Sequence, residues 1–261
     1  MTQATVRVPI GKVHGGVTQP QEDLLAVEEP LEIRLGSQSL SVTMRTPGDD
    51  FELAAGFLLA EGIVSSASQI LHIANSELNI VVVELSAEVV IQPVQPQRSF
   101  MMTSACGLCG KASLQALEAN RCPVLPPRRF NIDSHVIHRL PLELRQKQDV
   151  FESTGGLHAA ALFNPDGELE SLREDVGRHN AVDKLVGHAL LSCRTPLRDS
   201  MMLVSGRASY ELVQKALVAG IPVLAAVGAP SSLAVATAER CGMTLIGFLR
   251  DGRFNLYTGS L

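Results

Sequence analysis

MLVSGRASYELVQKALVAGIPVLAAVGAPSSLAVATAERCGMTLIGFL, residues 202–249, alternates two kinds of pattern. Residues 202–204, 223–227 and 244–249 are apolar runs of strand length. Between them, residues 209–218 and 231–241 read as helices that close on Gly220 and Gly242, where glycine accepts the left-handed backbone of a helix end. The β-α-β-α-β order predicts a mainly parallel, covered sheet of the α/β class. Ligands of such sheets bind beyond the carboxyl ends of the strands. Two strand-to-helix turns fall there. Ser205-Gly206-Arg207-Ala208-Ser209 and Gly228-Ala229-Pro230-Ser231 offer backbone amides, and Arg207 adds a cation, so each suits an anion. Ordinary turn and cap chemistry explains each equally well.

Working outward, Val182, Leu185, Val186, Ala189 and Leu190 form a helical stripe that opens at Arg178-His179, read as a further anion contact or as an exposed cap with a surface charge. His158 alone reads as a hydrogen-bonded core histidine. At the other end, Phe248, Leu249, Arg250, Asp251, Gly252 and Arg253 read as a strand end, an Asp-Gly turn and the next strand.

The first half has a different grammar. Residues 31–34 and 40–44 predict paired strands across Gly36-Ser37. After the Pro47-Gly48 turn, Asp49 is placed to cap a helix with Phe51, Ala54, Ala55, Leu58 and Leu59 on one face, Glu52 completing a near capping box and Gly62 ending it. Arg45 is the one residue that this turn-and-cap reading of residues 45–50 leaves over. Residues 79–85 and 89–91 predict a second strand pair, rich in Val and Ile. Pro93, Pro96 and Gln97 form a connector. The expected organisation is an α+β domain over 1–98, a connector over 99–128, and an α/β domain over 129–261.

Composition narrows the class. The chain has 261 residues, 46% of them apolar and 19% charged, which excludes disorder. Its net charge of -5 argues against wholesale binding of nucleic acid. The first twenty residues carry no signal-peptide core, and no apolar run reaches the length of a membrane span. A soluble, cytoplasmic protein is expected. The five cysteines are an odd number, and a chain this long needs no disulfide staples, so reduced thiols are expected.

Two of those thiols form the sharpest motif, Ser104-Ala105-Cys106-Gly107-Leu108-Cys109-Gly110-Lys111. Thiols two residues apart share a metal, form a small disulfide or pass sulfur between them. Flanking glycines let the backbone bend, and a helix starting near Gly110 together with Lys111 favours the thiolate. Zinc competes, with Cys122, His135 and His138 as further ligands. A dithiol oxidoreductase is the third reading. Cys193 and Cys241, at the ends of helical stripes, read as core.

The motif also lies in a set of ordered blocks. Thr103 to Gly110, Arg45-Thr46-Pro47-Gly48-Asp49-Asp50, Thr154-Gly155-Gly156-Leu157-His158, the run from Glu174 to Lys184, Ser205 to Ser209, Gly228 to Ser232 and Phe248 to Arg253 together resemble the formate dehydrogenase accessory sulfurtransferase family (FdhD). The resemblance implies a sulfur carrier. It would accept a persulfide sulfur from a cysteine desulfurase and pass it to the molybdenum bis(guanine dinucleotide) cofactor of formate dehydrogenase. Cys106 would carry the sulfur and Cys109 assist. The segment Phe248 to Arg253 would hold the cofactor, and a guanine nucleotide would fit the same site. The resemblance further implies a homodimer, and a cytidine-deaminase-like three-layer domain beside a smaller α+β N-terminal domain, to which the last strands are free to return. Deaminase chemistry itself is not expected. His158-Ala159-Ala160 has alanine where the required glutamate would stand, and Ala105 replaces the proline before the cysteine pair. The reading that competes with sulfur transfer is a zinc- or nucleotide-binding accessory module.

Overall fold

The computed structural model describes residues 4–89, the backbone of 101–102, and residues 122–261. The decisive stretch folds as expected. β10 (Met201–Val204), β11 (Val223–Ala226) and β12 (Thr244–Arg250) lie side by side and parallel. Helices α5 (Tyr210–Val218) and α6 (Ser232–Arg240) connect them. Ser231 caps α6 by accepting from the Ala234 amide at 3.2 Å.

The sheet is mixed rather than mainly parallel, because a hairpin flanks each side of the parallel trio. Its order is β13-β12-β11-β10-β8-β9. β8 (His158–Phe163) and β9 (Leu169–Asp175) turn at Asp166-Gly167, where the Asn164 side chain accepts from the Asp166 and Glu168 amides. β13 (Arg253–Thr258) folds back on β12 and stays in this sheet; it does not return to the N-terminal half. Residues alternate between the faces. Ala160, Leu162, Met202, Val204, Leu224, Ala226 and Leu245 pack into one core cluster. Ala159, Ala161, Phe163, Met201, Leu203, Val223, Ala225 and Ile246 pack into the other. Both faces are covered, by α4 (Arg178–Leu191), α5 and α6 on the first and by α2 (Ser134–Gln146) on the second.

The N-terminal half builds a five-stranded sheet, β5-β6-β3-β4-β7. β3 (Glu29–Leu35) and β4 (Gln38–Arg45) form the expected hairpin. β6 (Ile80–Leu85) pairs with β5 (Ile70–Glu77), which precedes it, and residues 86–89 form a turn, so the pairing expected with 89–91 is not made by residue 89. β7 (Met101–Met102) runs parallel to β4. A two-stranded ribbon of β1 (Thr5–His14) and β2 (Val17–Ala26), largely exposed, precedes both sheets and was not legible in the sequence. The connector at Pro93, Pro96 and Gln97 lies outside the described residues.

Helix α1 (Asp50–Ala60) differs from the expected one-faced helix. Leu53 to Ala60 are all buried, while Phe51 is 38% exposed. A helix buried all round is clamped on several sides. Here α1 lies between the five-stranded sheet and α4 within a single core cluster. The two helices approach without Cβ atoms at their crossing: one added to Gly56 would sit 1.9 Å from the Asp183 carbonyl oxygen, and one added to Gly187 would sit 1.8 Å from that of Glu52. Asp49 occupies the N-cap position but makes no side-chain cap bond. Glu52 faces α4 instead, accepting from Arg173 Nη2 at 2.8 Å and lying 2.9 Å from His188 Nδ1.

Candidate functional site at the carboxyl edge

The carboxyl ends of the parallel strands meet in one backbone network. The Gly228 amide donates to the Gly206 carbonyl at 2.9 Å, and the Phe248 amide donates to the Gly228 carbonyl at 3.0 Å. Farther out, the Ala208 amide donates to the Ala229 carbonyl and the Ser231 amide to that of Ala208. A Cβ on Gly228 would sit 3.0 Å from the Gly206 oxygen, so the two loops need this glycine to close on each other. Thus the two turns proposed as anion cradles form a continuous rim.

The neighbouring groups differ in how far they are committed. Ser205 spends its hydroxyl on the Ala159 amide at 2.9 Å and its own amide on the Ala159 carbonyl, extending the β10–β8 ladder. Arg207 is exposed. His179 is buried and bonded to Glu211 at 2.7 Å, which ties the start of α4 to the start of α5. It therefore holds the two helix starts together beside the rim. Arg178, half-buried, stands close enough to influence His158 electrostatically.

The 248–253 segment is the hairpin the residues predicted. Asp251 and Gly252 both take positive φ, 53° and 69°, the requirement of a type I′ turn. Phe248 also has positive φ, at a bulge where the register with β13 shifts. Arg250 lies 6.0 Å over the Phe248 ring and, like Asp251, Gly252 and Arg253, is exposed. Leu249 is 1% exposed and belongs to the second core cluster, so it anchors the segment.

His158 departs from its expected role as a core residue. It is half-buried and lines an open cleft of about 530 Å³ with Ser205, Val227, Leu157, Leu144, Arg145 and Phe151. Burial first, then the neighbouring Arg178 and His179, hold its imidazole below the ordinary histidine value, against Asp175. The cleft wall is built by α3 (Asp149–Thr154), whose Val150 and Phe151 amides are accepted by the Glu174 carboxylate. Burial raises the affinity of Glu174 for a proton, and those amides oppose it. Gly155, at φ 68°, turns the chain from α3 toward β8. The only sequence signal for this cleft was the Thr154-to-His158 block.

The other expectations resolve by location. Cys106 and Cys109 lie outside the described residues. Cys122 sits in the first core cluster, whereas the His138 ring packs 5.0 Å from Phe254, on the opposite face of the six-stranded sheet. The proposed zinc set of Cys122 with His135 and His138 is therefore not assembled, and no metal-binding group of three or more His, Cys, Asp or Glu occurs among the described residues. Cys241 is buried as expected, but Cys193 is exposed, because it lies just past α4 in a left-handed turn. Arg45 finds its explanation. It is 1% exposed and grips Asp50 through two nitrogens, at 2.8 and 2.9 Å, with Asn79 as a further acceptor. Beside it, the Thr46 amide donates to Asp175, Lys184 donates to the Thr46 carbonyl, and Asn180 donates to the Met44 carbonyl and to Asp175. Two sequence blocks more than a hundred residues apart thus lock the N-terminal half onto the base of the rim.

Comparison with known proteins agrees with this arrangement. The family model FdhD/NarQ matches residues 26–261. A protein from Streptomyces coelicolor named "Sulfur carrier protein FdhD" is 49% identical over 100% of this chain and 96% of its own. A protein of the same name from Sulfurisphaera tokodaii is 43% identical over 97% of this chain and 96% of its own. A crystal structure described as that of a formate dehydrogenase accessory protein, from Desulfotalea psychrophila, superposes with a TM-score of 0.79, 26% identity and 98% coverage of both chains. The chain belongs to the FdhD/NarQ family.

Proposed function

We propose that the protein is a sulfur carrier for formate dehydrogenase. It takes a sulfane sulfur from a cysteine desulfurase and delivers it to the molybdenum bis(guanine dinucleotide) cofactor. The observation that carries this reading is full-length similarity to sulfur carrier proteins combined with an intact Cys106-x-x-Cys109 motif. In the loading step, the Cys106 thiolate attacks the terminal sulfur of the donor persulfide. The donor leaves as a thiolate, and Cys106 holds the sulfur as its own persulfide. Attack by the Cys109 thiolate on Cys106 Sγ then expels the carried sulfur as hydrosulfide and leaves a Cys106–Cys109 disulfide. The two electrons that reduce the sulfur come from this thiol pair.

The carboxyl edge fits a polyanionic acceptor. Arg207, Arg250 and Arg253 are exposed there, and Arg178 stands beside the cleft. Guanidiniums are suited to bidentate phosphate recognition. A guanine nucleotide would report on the same residues, Phe248, Arg250, Asp251, Gly252 and Arg253 with Gly206 and Arg207. The three-layer core fits a deaminase-like ancestry from which the reaction has been lost, since Ala160 is wholly buried in the core where an acid would be required. We place the protein in the cytoplasm as a homodimer, a state that light scattering would test. No helix among the described residues is long and apolar enough to cross a membrane.

Incubation with a desulfurase and cysteine should add mass in steps of one sulfur, and Cys106→Ala should abolish the addition. Full restoration of formate dehydrogenase by the Cys106→Ala/Cys109→Ala double variant, in cells lacking the protein, would end the proposal. A dithiol oxidoreductase would instead cycle its Cys106–Cys109 disulfide against a protein substrate without any sulfur donor.

A further inference from the structure

One group of thiol and hydroxyl side chains stands apart from the CxxC motif. Cys122, the first described residue after the motif segment, is 8% exposed, and Cys241, at the end of α6, is 1% exposed. The Cys241 thiol points at the Cys122 carbonyl oxygen, 3.7 Å away. The Leu125 amide donates to the Cys241 carbonyl at 2.9 Å, which holds the extended segment after Cys122 beside the helix end. The Tyr210 hydroxyl, at the start of α5, hydrogen-bonds the Cys122 thiol and senses Cys241 as well. Burial first, then Cys122, pushes that phenol up to about 12, so it stays protonated and remains a donor. Two thiols and one hydroxyl therefore share a buried site that the sulfur-carrier reading does not use.

We propose that Cys122 and Cys241 are a second dithiol pair, convertible to a disulfide by a small sulfane-sulfur donor such as inorganic polysulfide. The Cys122 thiolate, held by the Tyr210 hydroxyl, attacks a donor sulfur and becomes a persulfide, and the shortened donor leaves as an anion. The Cys241 thiolate then attacks Cys122 Sγ. The Cys122–Cys241 bond forms, the carried sulfur departs as hydrosulfide, and the two thiol protons pass to the two departing anions. The donor is reduced and the thiol pair oxidised, with no further reagent. Disulfides form only where the Cα atoms approach within about 7 Å, and the 3.7 Å approach of the Cys241 thiol to the Cys122 carbonyl oxygen brings the two residues together. The product would fasten the chain leaving the CxxC segment to the end of α6.

The test uses the full-length Cys106→Ser/Cys109→Ser/Cys193→Ser variant, which keeps only these two cysteines. After polysulfide treatment, removal of the reagent and alkylation under denaturing conditions, neither thiol should label. A monomer-mass disulfide peptide should join the two, and reduction should restore both. Adding Cys241→Ser should leave one extra sulfur trapped on Cys122. Tyr210→Phe should slow the first step about tenfold, the scale of a lost hydrogen bond to an anion, with an unchanged unfolding midpoint showing that the fold is kept. The proposal is overturned if, after treatment of the folded protein, both thiols still label under denaturing conditions, if protection arises only between two chains, or if the trapped sulfur lies elsewhere than on Cys122.

Discussion

Gly56→Ala sets two known effects against each other. Within an exposed helix, alanine is favoured over glycine by about 1 kcal/mol, so local propensity predicts a gain in stability. Tertiary contact predicts a loss. The new Cβ would lie 1.9 Å from the Asp183 carbonyl oxygen, and ordinary contact begins near 3.4 Å. Helices α1 and α4 must therefore separate by about 1.5 Å. Backbone stands opposite, so no rotamer relieves the clash. Overpacking costs about 1–3 kcal/mol, and a backbone obstacle belongs at or above the upper end. The net expectation is a loss of roughly 2 kcal/mol after the propensity gain, or a fall of about 4–8 °C in Tm for a chain of this size. Urea unfolding should show a lower midpoint at unchanged slope. Gly187→Ala meets the Glu52 carbonyl across the same crossing and should behave alike. The double variant should cost less than the sum, because one separation accommodates both methyl groups. Equal or greater stability of Gly56→Ala would refute the reasoning and show that propensity outweighs the contact.

Three further outcomes follow from buried charge and backbone geometry. Lys215 donates to both oxygens of Asp183, at 2.6 and 2.8 Å, with both side chains buried. Lys215→Met should cost about 3–5 kcal/mol by stranding the carboxylate, and Lys215→Met/Asp183→Leu should recover much of it in chemical denaturation. His158 binds its proton more weakly in the fold than when unfolded. Between its folded value and about 6.5 the unfolded chain therefore holds more of that proton. Stability from this group is full above about 6.5 and is lost as pH falls toward the folded value, so His158→Gln should flatten the acid side of a Tm-against-pH curve; an unchanged slope would contradict the assignment. Gly252 has φ 69° with open space around it, so Gly252→Ala should cost roughly 1 kcal/mol through strain alone. Its calorimetric midpoint should fall slightly, while sulfur loading at Cys106 stays intact.

The parallel trio was legible because apolar runs, helix spans and closing glycines fall in register along residues 202–249. The hairpin at 250–253 was legible because Asp-Gly specifies its own turn locally. The 158–163 strand was not, since His-Ala-Ala-Ala-Leu-Phe is buried on both faces and shows neither period. Arg45 and Glu52 failed for another reason. Glu52 looked like part of a local cap although its partners, Arg173 and His188, are distant in sequence, and Arg45, left over by the cap reading, joins nearby Asp50 to distant Asn79. The likeness of the two cysteines Cys193 and Cys241 at helical ends gave one expectation for both, and only the direction each faces separated them.

By itself, then, the sequence determined the elements whose conformation is local: the strand–helix alternation, the Asp251-Gly252 turn, the ordered blocks of the family and the CxxC pair. Tertiary structure decided everything that depends on distant groups meeting. It placed Gly206, Gly228 and Phe248 in one rim, put Cys122 and His138 on opposite sides of a sheet, and brought Cys122 to Cys241. Backbone preference acts over a few residues, whereas burial and pairing depend on which surfaces the fold brings together.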